Sequence, residues 1–379
     1  MVVPPFFNAL LYIKFTCKSK YKFLSLLLDF KSFIMKKVLL VLTAIFFLNI
    51  SATAQNNESI TYSEELVKQA NLSNPEALYK LGLCYLNGYG VEKNYYKGVV
   101  YILQASSFGS EKATELAASI KADMDAKSEK EALEWAEKLK QDVDNNDLDA
   151  TFILASAFLS QNDLESTEYW LTVAADKGHL VSQYSLGGML ISGQLGKKDL
   201  VKGAHYMKLA AENGSVPSMT TIAFFYSEGI GVEKDLEESV KWLKRAVDCG
   251  DVESMTHLGF NYFYGDGVIK DQNTAVYYWK KAFDLGDGLA AGYLADSYLH
   301  GDGVIQNVTK ALKYAKTGAV RGDSLSMGVL AEMYENGYGV TKDLEKADML
   351  NTASGAASAN DMKYAFDLLY KALPELRNK

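Results

Sequence analysis

Residues 255–268 read MTHLGFNYFYGDGV, and this stretch decides the fold. Met255, Leu258, Gly259 and Tyr262 stand at i, i+3, i+4 and i+7, which places them on one face of a helix. The tetrad Gly-Asp-Gly-Val follows, and its glycines supply the positive φ values that end a helix and turn the chain. The stretch therefore predicts an amphipathic helix, here called a first helix, that ends in a glycine turn.

The Gly-x-Gly-Val tetrad recurs along the chain with a fixed period. Its last four copies are spaced 36 residues apart, and a looser copy, Gly193-Gln-Leu-Gly196, lies a further 36 residues upstream. A glycine that closes each repeat has the same spacing, from Gly178 to Gly322. Periods of roughly 20–50 residues are typical of solenoids and related arrays. The tetrads begin at Gly88, Gly229, Gly265, Gly301 and Gly337.

A second helix is predicted after each tetrad. Ala275, Tyr278 and Ala282 stand at i, i+3 and i+7, on one helix face. A small residue followed three positions later by an aromatic residue recurs about every 36 residues, which indicates eight repeats. The second and third repeats, about residues 112–180, have lost the tetrad. The pairs are Gly98/Tyr101, Ala132/Trp135, Thr167/Trp170, Gly203/Tyr206, Ser239/Trp242, Ala275/Tyr278 and Ala311/Tyr314, with a weaker copy at Ala347/Leu350.

Local signals place the ends and the contacts of these helices. Asp235, Asp271 and Asp343 stand where the N-caps of second helices are expected. A small residue on the buried face of each first helix should let a neighbouring helix approach closely. These small residues are Gly82, Gly187, Ala223, Gly259, Ala295 and Ala331.

The sequence thus predicts an all-α solenoid of about eight antiparallel helix pairs with a period of 36 residues. One helix pair cannot bury its own apolar face, so neighbouring pairs must stack and both ends need caps. Residues 55–75 are predicted to form a linker and a cap helix from Ser63 to Ala70, and residues 76–360 the array. Residues 361–379 are predicted to close it with an amphipathic helix from Met362 to Ala372.

The repeat resembles the Sel-one-like repeat (SLR) family, a relative of the tetratricopeptide repeats. Residues 255–268, followed by Asp271, Ala275 and Ala282, match its unit almost whole, and the match extends over roughly residues 76–358. The resemblance implies a right-handed superhelix whose concave surface, lined by the first helices, holds partners. It also implies an adaptor role in membrane-associated or secretory assemblies. A cysteine-rich bacterial branch of the family is associated with penicillin binding and β-lactam hydrolysis, but this chain lacks the pair of Cys in every repeat.

The amino terminus has the three-part pattern of a secretory signal peptide at residues 35–54. Two lysines precede an apolar run and then the small-residue site Ala52-Thr53-Ala54, so we expect export to the bacterial periplasm or beyond, with cleavage after Ala54. The apolar run is too short for a permanent span, and no stable membrane span is expected after cleavage. Residues 1–34 are either a start codon assigned too far upstream or an extended leader, which could include a weak anchor around Phe23 to Phe30.

The charge balance excludes one class of partner and favours another. The net charge of −8 becomes −14 for residues 55–379, because the first 54 residues hold seven Lys and one Asp. An acidic body repels phosphate backbones, so nucleic-acid binding is not expected. It favours a protein or extended peptide with basic segments, and we expect a monomer outside such a complex.

The residues after position 54 contain no Ser-x-x-Lys, Gly-x-Ser-x-Gly, His-Glu-x-x-His, Walker A or Gly-x-Gly-x-x-Gly motif, and we expect neither a catalytic residue nor a cofactor. The tetrad lacks the Lys-Ser/Thr of a phosphate loop and is interpreted as a turn. The four His occupy different repeats and positions, which disfavours a metal site. Residues 142–149 are rich in Asp but lack the central Gly and closing Glu of a calcium loop, so we interpret them as a solvated loop.

The candidate binding residues lie on first helices, away from the buried stripe. His257, Phe260 and Tyr264 are spaced i, i+3 and i+7, so they share a face that excludes Leu258 and Tyr262. Exposed aromatic residues with a charged rim are typical of a protein-binding hot spot. The alternative is that Phe224 and Phe260 pack between adjacent helices. The predicted concave site is Phe224, His257, Phe260, Tyr264, Asp296, His300 and Glu332.

The sequence therefore favours a non-catalytic scaffold or adaptor of the cell envelope that binds a protein or peptide on its first helices. The alternative from another class is an envelope ligand-binding protein or a β-lactamase-like or muropeptide-acting enzyme, as the cysteine-rich relatives suggest. A third possibility is a structural subunit of an envelope complex, in which the convex surface matters as much as the concave one.

Overall fold

A computed structural model describes residues 60–125 and 129–377, and it describes side chains except those of residues 120–135. The predicted signal peptide and the residues before it lie outside this part of the chain. Within it, all regular structure is helical, which confirms the predicted all-α fold class. The eighteen α-helices described are α1 (Glu64–Asn71), α2 (Pro75–Asn87), α3 (Tyr95–Ser107), α4 (Glu111–Asp125), α5 (Glu129–Asp144), α6 (Leu148–Ser160), α7 (Leu164–Asp176), α8 (Leu180–Ser192), α9 (Leu200–Glu212), α10 (Val216–Glu228), α11 (Leu236–Asp248), α12 (Val252–Tyr264), α13 (Gln272–Asp284), α14 (Gly288–His300), α15 (Val308–Val320), α16 (Ser324–Asn336), α17 (Leu344–Ser358) and α18 (Met362–Ala372).

The helices from α2 to α17 follow one another as eight pairs, with α1 before them and α18 after them. A short 3₁₀ helix, Pro374–Leu376, follows α18. The two helices of a pair pack directly on each other in α2–α3, α6–α7, α8–α9, α12–α13, α14–α15 and α16–α17. The second helix of one pair also packs on the first helix of the next, as in α13–α14 and α15–α16. This consecutive packing is the arrangement of an α-solenoid.

The chain divides into two compact units, each with its own core. The described N-terminal unit extends from residue 60 to Phe225 and includes Gly229–Glu233, and the C-terminal unit holds Tyr226–Glu228 and all described residues from Lys234 on. Buried residues such as Leu81, Phe152 and Leu186 form the core of the first. The C-terminal unit has its core in two clusters, around Trp279 and around Leu330.

Each helix of the sixth pair, α12–α13, begins and ends where its sequence signals stand. The Asp251 carboxylate accepts a hydrogen bond from the Ser254 amide at 2.8 Å, which caps the start of α12. Gly265 ends α12 in the left-handed region at φ 88°, and its amide donates to the Asn261 carbonyl. The three predicted N-caps are confirmed, since the side chains of Asp235, Asp271 and Asp343 all accept bonds from amides in their helices.

The small residues on the first helices face the second helix of the same pair. In α8–α9, a Cβ atom added at Gly187 would lie 3.1 Å from the Gly203 carbonyl oxygen, and one added at Gly203 would lie 3.1 Å from the Gly187 carbonyl oxygen. In α2–α3, a Cβ added at Gly82 would lie 3.1 Å from the Gly98 carbonyl oxygen. The predicted close approach of helices is therefore confirmed, and it occurs within the helix pair.

The degenerate repeats replace glycine turns by shorter connections. Residues 265–271 separate α12 from α13, whereas only residues 161–163 separate α6 from α7. Asn162 takes the left-handed conformation there, at φ 59°, and Asn146 does so after α5, at φ 64°. Asn tolerates this region better than most residues. The helix pair thus persists in α6–α7 although the tetrad is lost.

Candidate functional site

The seven predicted site residues do not all lie in one unit. Phe224, on α10, belongs to the N-terminal unit, where it is half exposed and lies beside Phe225 with ring centroids 6.4 Å apart. The other six residues lie on α12, α14 and α16 of the C-terminal unit. His257 is exposed one turn before Phe260 on α12. The contacts described next place the remaining five residues, with one further side chain, in two clusters.

An aromatic cluster connects α12 to α14. The Phe260 ring lies 4.5 Å from the Tyr264 ring and 6.2 Å, edge-on, from the Tyr293 ring. Tyr293 in turn stacks at 4.8 Å on Trp279, which is 1% exposed. Phe260 is therefore partly buried by packing against the next first helix, while Tyr264 keeps 55% of its surface exposed. The buried Trp279 thus fixes the cluster on one side, and Tyr264 leaves the cluster exposed to solvent on the other.

Sequence reasoning missed Tyr293, although the repeat contained the signal. Tyr293 lies 36 residues after His257, so it occupies the same position of the following repeat. The predicted patch contained aromatic residues of α10 and α12 and none of α14. The structure brings the equivalent position of α14 next to Phe260, so the aromatic surface continues across two repeats.

A carboxylate cluster continues the surface from α14 to α16. Nδ1 of His300 lies 3.1 Å from Oδ1 of Asp296, one turn earlier on α14. Nε2 of His300 lies 3.2 Å from Oε1 of Glu332 on α16. A neutral imidazole carries one N–H, and only the protonated ring can donate to both carboxylates. The arrangement therefore favours a cation between Asp296 and Glu332.

The pKa values of this cluster follow from its surroundings. Partial burial alone lowers the pKa of His300, but the Asp296 carboxylate and the hydrogen bond to Glu332 outweigh it and raise the pKa above 6.5. Burial raises the pKa of Asp296, and the nearby Glu332 and Asp302 carboxylates add to this rise while His300 opposes it. His300 thus becomes protonated more readily than a free imidazole.

We call these six side chains the aromatic–carboxylate strip. It consists of an aromatic cluster of two tyrosines and one phenylalanine on α12 and α14, and of a histidine held between two carboxylates on α14 and α16. Its members are Phe260, Tyr264, Tyr293, Asp296, His300 and Glu332.

A metal site and a reactive thiol each require a particular arrangement of side chains. Within the described residues, no cluster of three or more His, Cys, Asp or Glu side chains is arranged to hold a metal ion. Cys84 is buried, and burial raises the pKa of its thiol, which opposes formation of a reactive thiolate. Among the helices described here, none has the length and apolar character that crossing a bilayer requires.

Stacked helix pairs with glycine-ended first helices define a repeat protein of the α-solenoid class. The chain belongs to the Sel1 repeat family. Proteins of this family are generally protein-interaction scaffolds, and the fold is typically non-catalytic. The segment that the family model leaves unmatched between its first two repeats holds the repeats without a tetrad. The family model of the Sel1 repeat matches residues 75–107, 180–215, 217–251, 252–287, 288–323 and 324–347.

Several solved structures are similar to this chain. A Sel1 repeat protein from Oxalobacter formigenes is 24% identical with a TM-score of 0.44, over 75% of this chain and 86% of that one. A protective antigen of uropathogenic Escherichia coli with an SLR fold is 19% identical with a TM-score of 0.44, over 94% and 91%. Cysteine-rich protein B of Helicobacter pylori is 26% identical with a TM-score of 0.28, over 35% and 95%. Comparison with curated proteins finds no match.

Proposed function

We propose that this protein is a non-catalytic scaffold that binds a partner protein or an extended peptide through the aromatic–carboxylate strip. The observation that carries the proposal is the continuity of the strip. Contacts of 3.1–6.2 Å connect α12 to α14 through aromatic rings and α14 to α16 through charged side chains, so the strip crosses three consecutive repeats. A repeat array presents such positions side by side, which suits a partner that lies across several repeats.

The physical chemistry of the strip supports binding. Tyr264 and Phe260 offer large apolar surfaces with few rotatable bonds, so ordering them on binding costs little entropy. Tyr293 on α14 packs against Phe260, and Trp279 on α13 stacks on Tyr293, which preorganises the surface. Asp296, His300 and Glu332 supply a polar rim that can give a partner its orientation.

The first test is affinity capture from an envelope extract with the tagged protein and its Phe260→Ala/Tyr264→Ala variant. We expect loss of the captured partner with the double variant, because hot-spot aromatic residues each contribute about 2 kcal/mol or more to binding. Tyr277→Ala is the matched control, since Tyr277 is 59% exposed on the second helix α13. Circular dichroism checks that all three proteins fold.

Two results would count against the proposed strip. If the double variant captures the same partner as the wild type, binding occurs elsewhere on the scaffold. If Tyr277→Ala loses the partner while the double variant keeps it, the second helices form the docking surface, as in a structural subunit of a larger complex.

We also propose that the protein is exported by the segment at residues 35–54. Two lysines, an apolar run and a small-residue cleavage site support this localisation. In a bacterial host that expresses the whole chain, we expect the protein in the periplasmic or extracellular fraction with Gln55 as its first residue. Amino-terminal sequencing measures this directly. An unprocessed chain in the cytoplasmic fraction would contradict the proposed export, and the scaffold proposal would be unaffected.

A further inference from the structure

The first helices that carry the strip lack basic residues, whereas the second helices of the C-terminal unit hold charges of both signs. The three first helices that carry the strip, α12, α14 and α16, contain no Lys or Arg in their sequences. Their acidic residues are Glu253, Asp296, Glu332 and Glu335. The second helices α11, α13, α15 and α17 carry both basic and acidic residues. The basic ones are Lys241, Lys244, Arg245, Lys280, Lys281, Lys310, Lys313, Lys316 and Lys346, and the acidic ones are Glu237, Glu238, Asp248, Asp284, Glu345 and Asp348.

The strip therefore holds two carboxylates and no Lys or Arg. Lysines of the second helices lie over tyrosine rings on the same unit, as Lys244 does over Tyr262 and Lys280 over Tyr298. None of the ion pairs found among the described residues brings a Lys or Arg to Asp296 or Glu332. The cation between these two carboxylates is His300, whose charge depends on pH.

We infer that the partner of the strip is a cationic peptide segment, with an aromatic or aliphatic anchor on Phe260 and Tyr264 and an Arg or Lys that reaches Asp296 and Glu332. This inference rests on the proposed function and names the chemistry of its partner. The anchor site and the carboxylates are close along the strip. Phe260 lies 6.2 Å from Tyr293, and Asp296 follows Tyr293 by one helical turn. An extended chain advances about 3.3 Å per residue, so the basic residue should stand within about three positions of the anchor.

Tyr293 contacts Phe260 and stands one helical turn before Asp296 on α14, and its ring suits the same partner. Cations are attracted to aromatic faces within about 6 Å, so a guanidinium or ammonium group gains from an aromatic ring on the helix that carries Asp296. An acidic partner would instead meet Asp296 and Glu332 with like charge, which disfavours it. The strip therefore selects by charge as well as by apolar contact.

Protonation of His300 should weaken the binding of this partner. The charged groups that face His300 are Asp296 on its own helix and Glu332 on α16, with Asp302 acting on Asp296 from the loop after α14. On the α12 side the strip contributes rings and no carboxylate. When His300 is neutral, the two carboxylates attract an external cation. When it is protonated, it satisfies both carboxylates and repels that cation.

The test uses an array of synthetic peptides probed with the protein purified from cells that express the whole chain. Each peptide holds one Phe, Leu or Trp anchor among Gly and Ser, and the neighbouring positions hold Arg, Gln or Glu. We expect binding to Arg peptides at about pH 8 and low salt, weakening at about 0.3 M salt and as the pH falls to about 5.5. The Asp296→Asn/Glu332→Gln variant should bind the best Arg peptide about 10-fold more weakly than the wild type does. Its affinity for that peptide should equal its affinity for the matching Gln peptide. His300→Gln should remove most of the pH dependence.

The outcomes separate this inference from the function on which it rests. If Gln, Glu and Arg peptides bind equally and all need Phe260 and Tyr264, the strip binds peptides but the cationic partner is wrong. The same conclusion follows if the Asp296→Asn/Glu332→Gln variant keeps its preference for Arg. If no peptide binds above the level of the Phe260→Ala/Tyr264→Ala variant, the inference and the proposed strip both fail.

Discussion

Replacing Gly267 by Ala is expected to lower the free energy of unfolding by about 3 kcal/mol, because two costs act at this position. Gly267 is the second glycine of its tetrad and has a φ of 71°, in the left-handed region that disfavours residues with a Cβ atom. The added Cβ would also overlap the backbone carbonyl of Leu236, at the start of α11 in the preceding repeat. A backbone atom cannot move aside as a flexible side chain can, so the contact between repeats must open.

Gly286→Ala is the matched control for this substitution. Gly286 also has a positive φ, of 102°, but a Cβ placed there meets no atom within 4 Å. It should therefore cost only the backbone strain, about 1 kcal/mol. Urea unfolding followed by circular dichroism measures both values. Equal losses for the two variants would show that the close approach of Gly267 to Leu236 contributes nothing to stability.

The tight glycine contact is a property of the array and not of one loop. A Cβ at Gly231 would overlap the Leu200 carbonyl in the N-terminal unit, and one at Gly303 would overlap the Gln272 carbonyl in the C-terminal unit. The second glycine of the tetrad thus lies against the start of the preceding second helix in three successive copies. A turn alone requires the positive φ, whereas this contact requires that the residue have no side chain at all.

Replacing Trp279 by Ala is expected to destabilise the protein by about 3–5 kcal/mol, the usual range for a large buried aromatic residue. Trp279 is 1% exposed, and its indole N–H donates to the Thr256 carbonyl at 3.1 Å. Its ring stacks on Tyr293 at 4.8 Å and lies 5.4 Å from Phe263. Removing it leaves a cavity between α12, α13 and α14 and withdraws the ring that supports Tyr293.

Two variants on the same helix sharpen this prediction. Trp279→Phe keeps an aromatic ring but loses the hydrogen bond and part of the volume, so it should fall between the wild type and Trp279→Ala. Tyr277→Ala removes a ring that is 59% exposed and should change stability by less than about 0.5 kcal/mol. The same urea titrations give all three values. A loss for Trp279→Ala no larger than that for Tyr277→Ala would mean that the ring is not part of the core.

The position of the Trp279 ring on α13 depends on Gly259 of the paired helix α12. A Cβ added at Gly259 would overlap the indole nitrogen of Trp279, so the ring occupies the space that the missing side chain leaves. The sequence pattern predicted that a neighbouring helix approaches closely at this position. The group that approaches Gly259 is the Trp279 side chain, and not the backbone of α13. In α8–α9, where Gly187 faces Gly203, the backbones themselves approach. The same repeat position thus serves two kinds of packing.

The sequence by itself determined the features that depend on residues close together along the chain. Helix starts follow from caps such as Asp235 and Asp271, whose side chains accept amide hydrogens two or three residues later. Helix ends follow from glycines such as Gly265, and the period of 36 residues follows from their recurrence. Because these interactions are local, the order and type of the helices could be read without knowing how the pairs stack.

The tertiary structure alone decided which of the candidate residues form a surface together. Tyr293 contacts Phe260, and His300 contacts Glu332, across helices of successive repeats, although the paired residues are about 32–33 positions apart in sequence. The structure also places Phe224 in the N-terminal unit and the strip in the other. Such contacts depend on how closely neighbouring helices approach and on how their side chains turn. A repeating sequence aligns equivalent positions, but it does not state which of them touch.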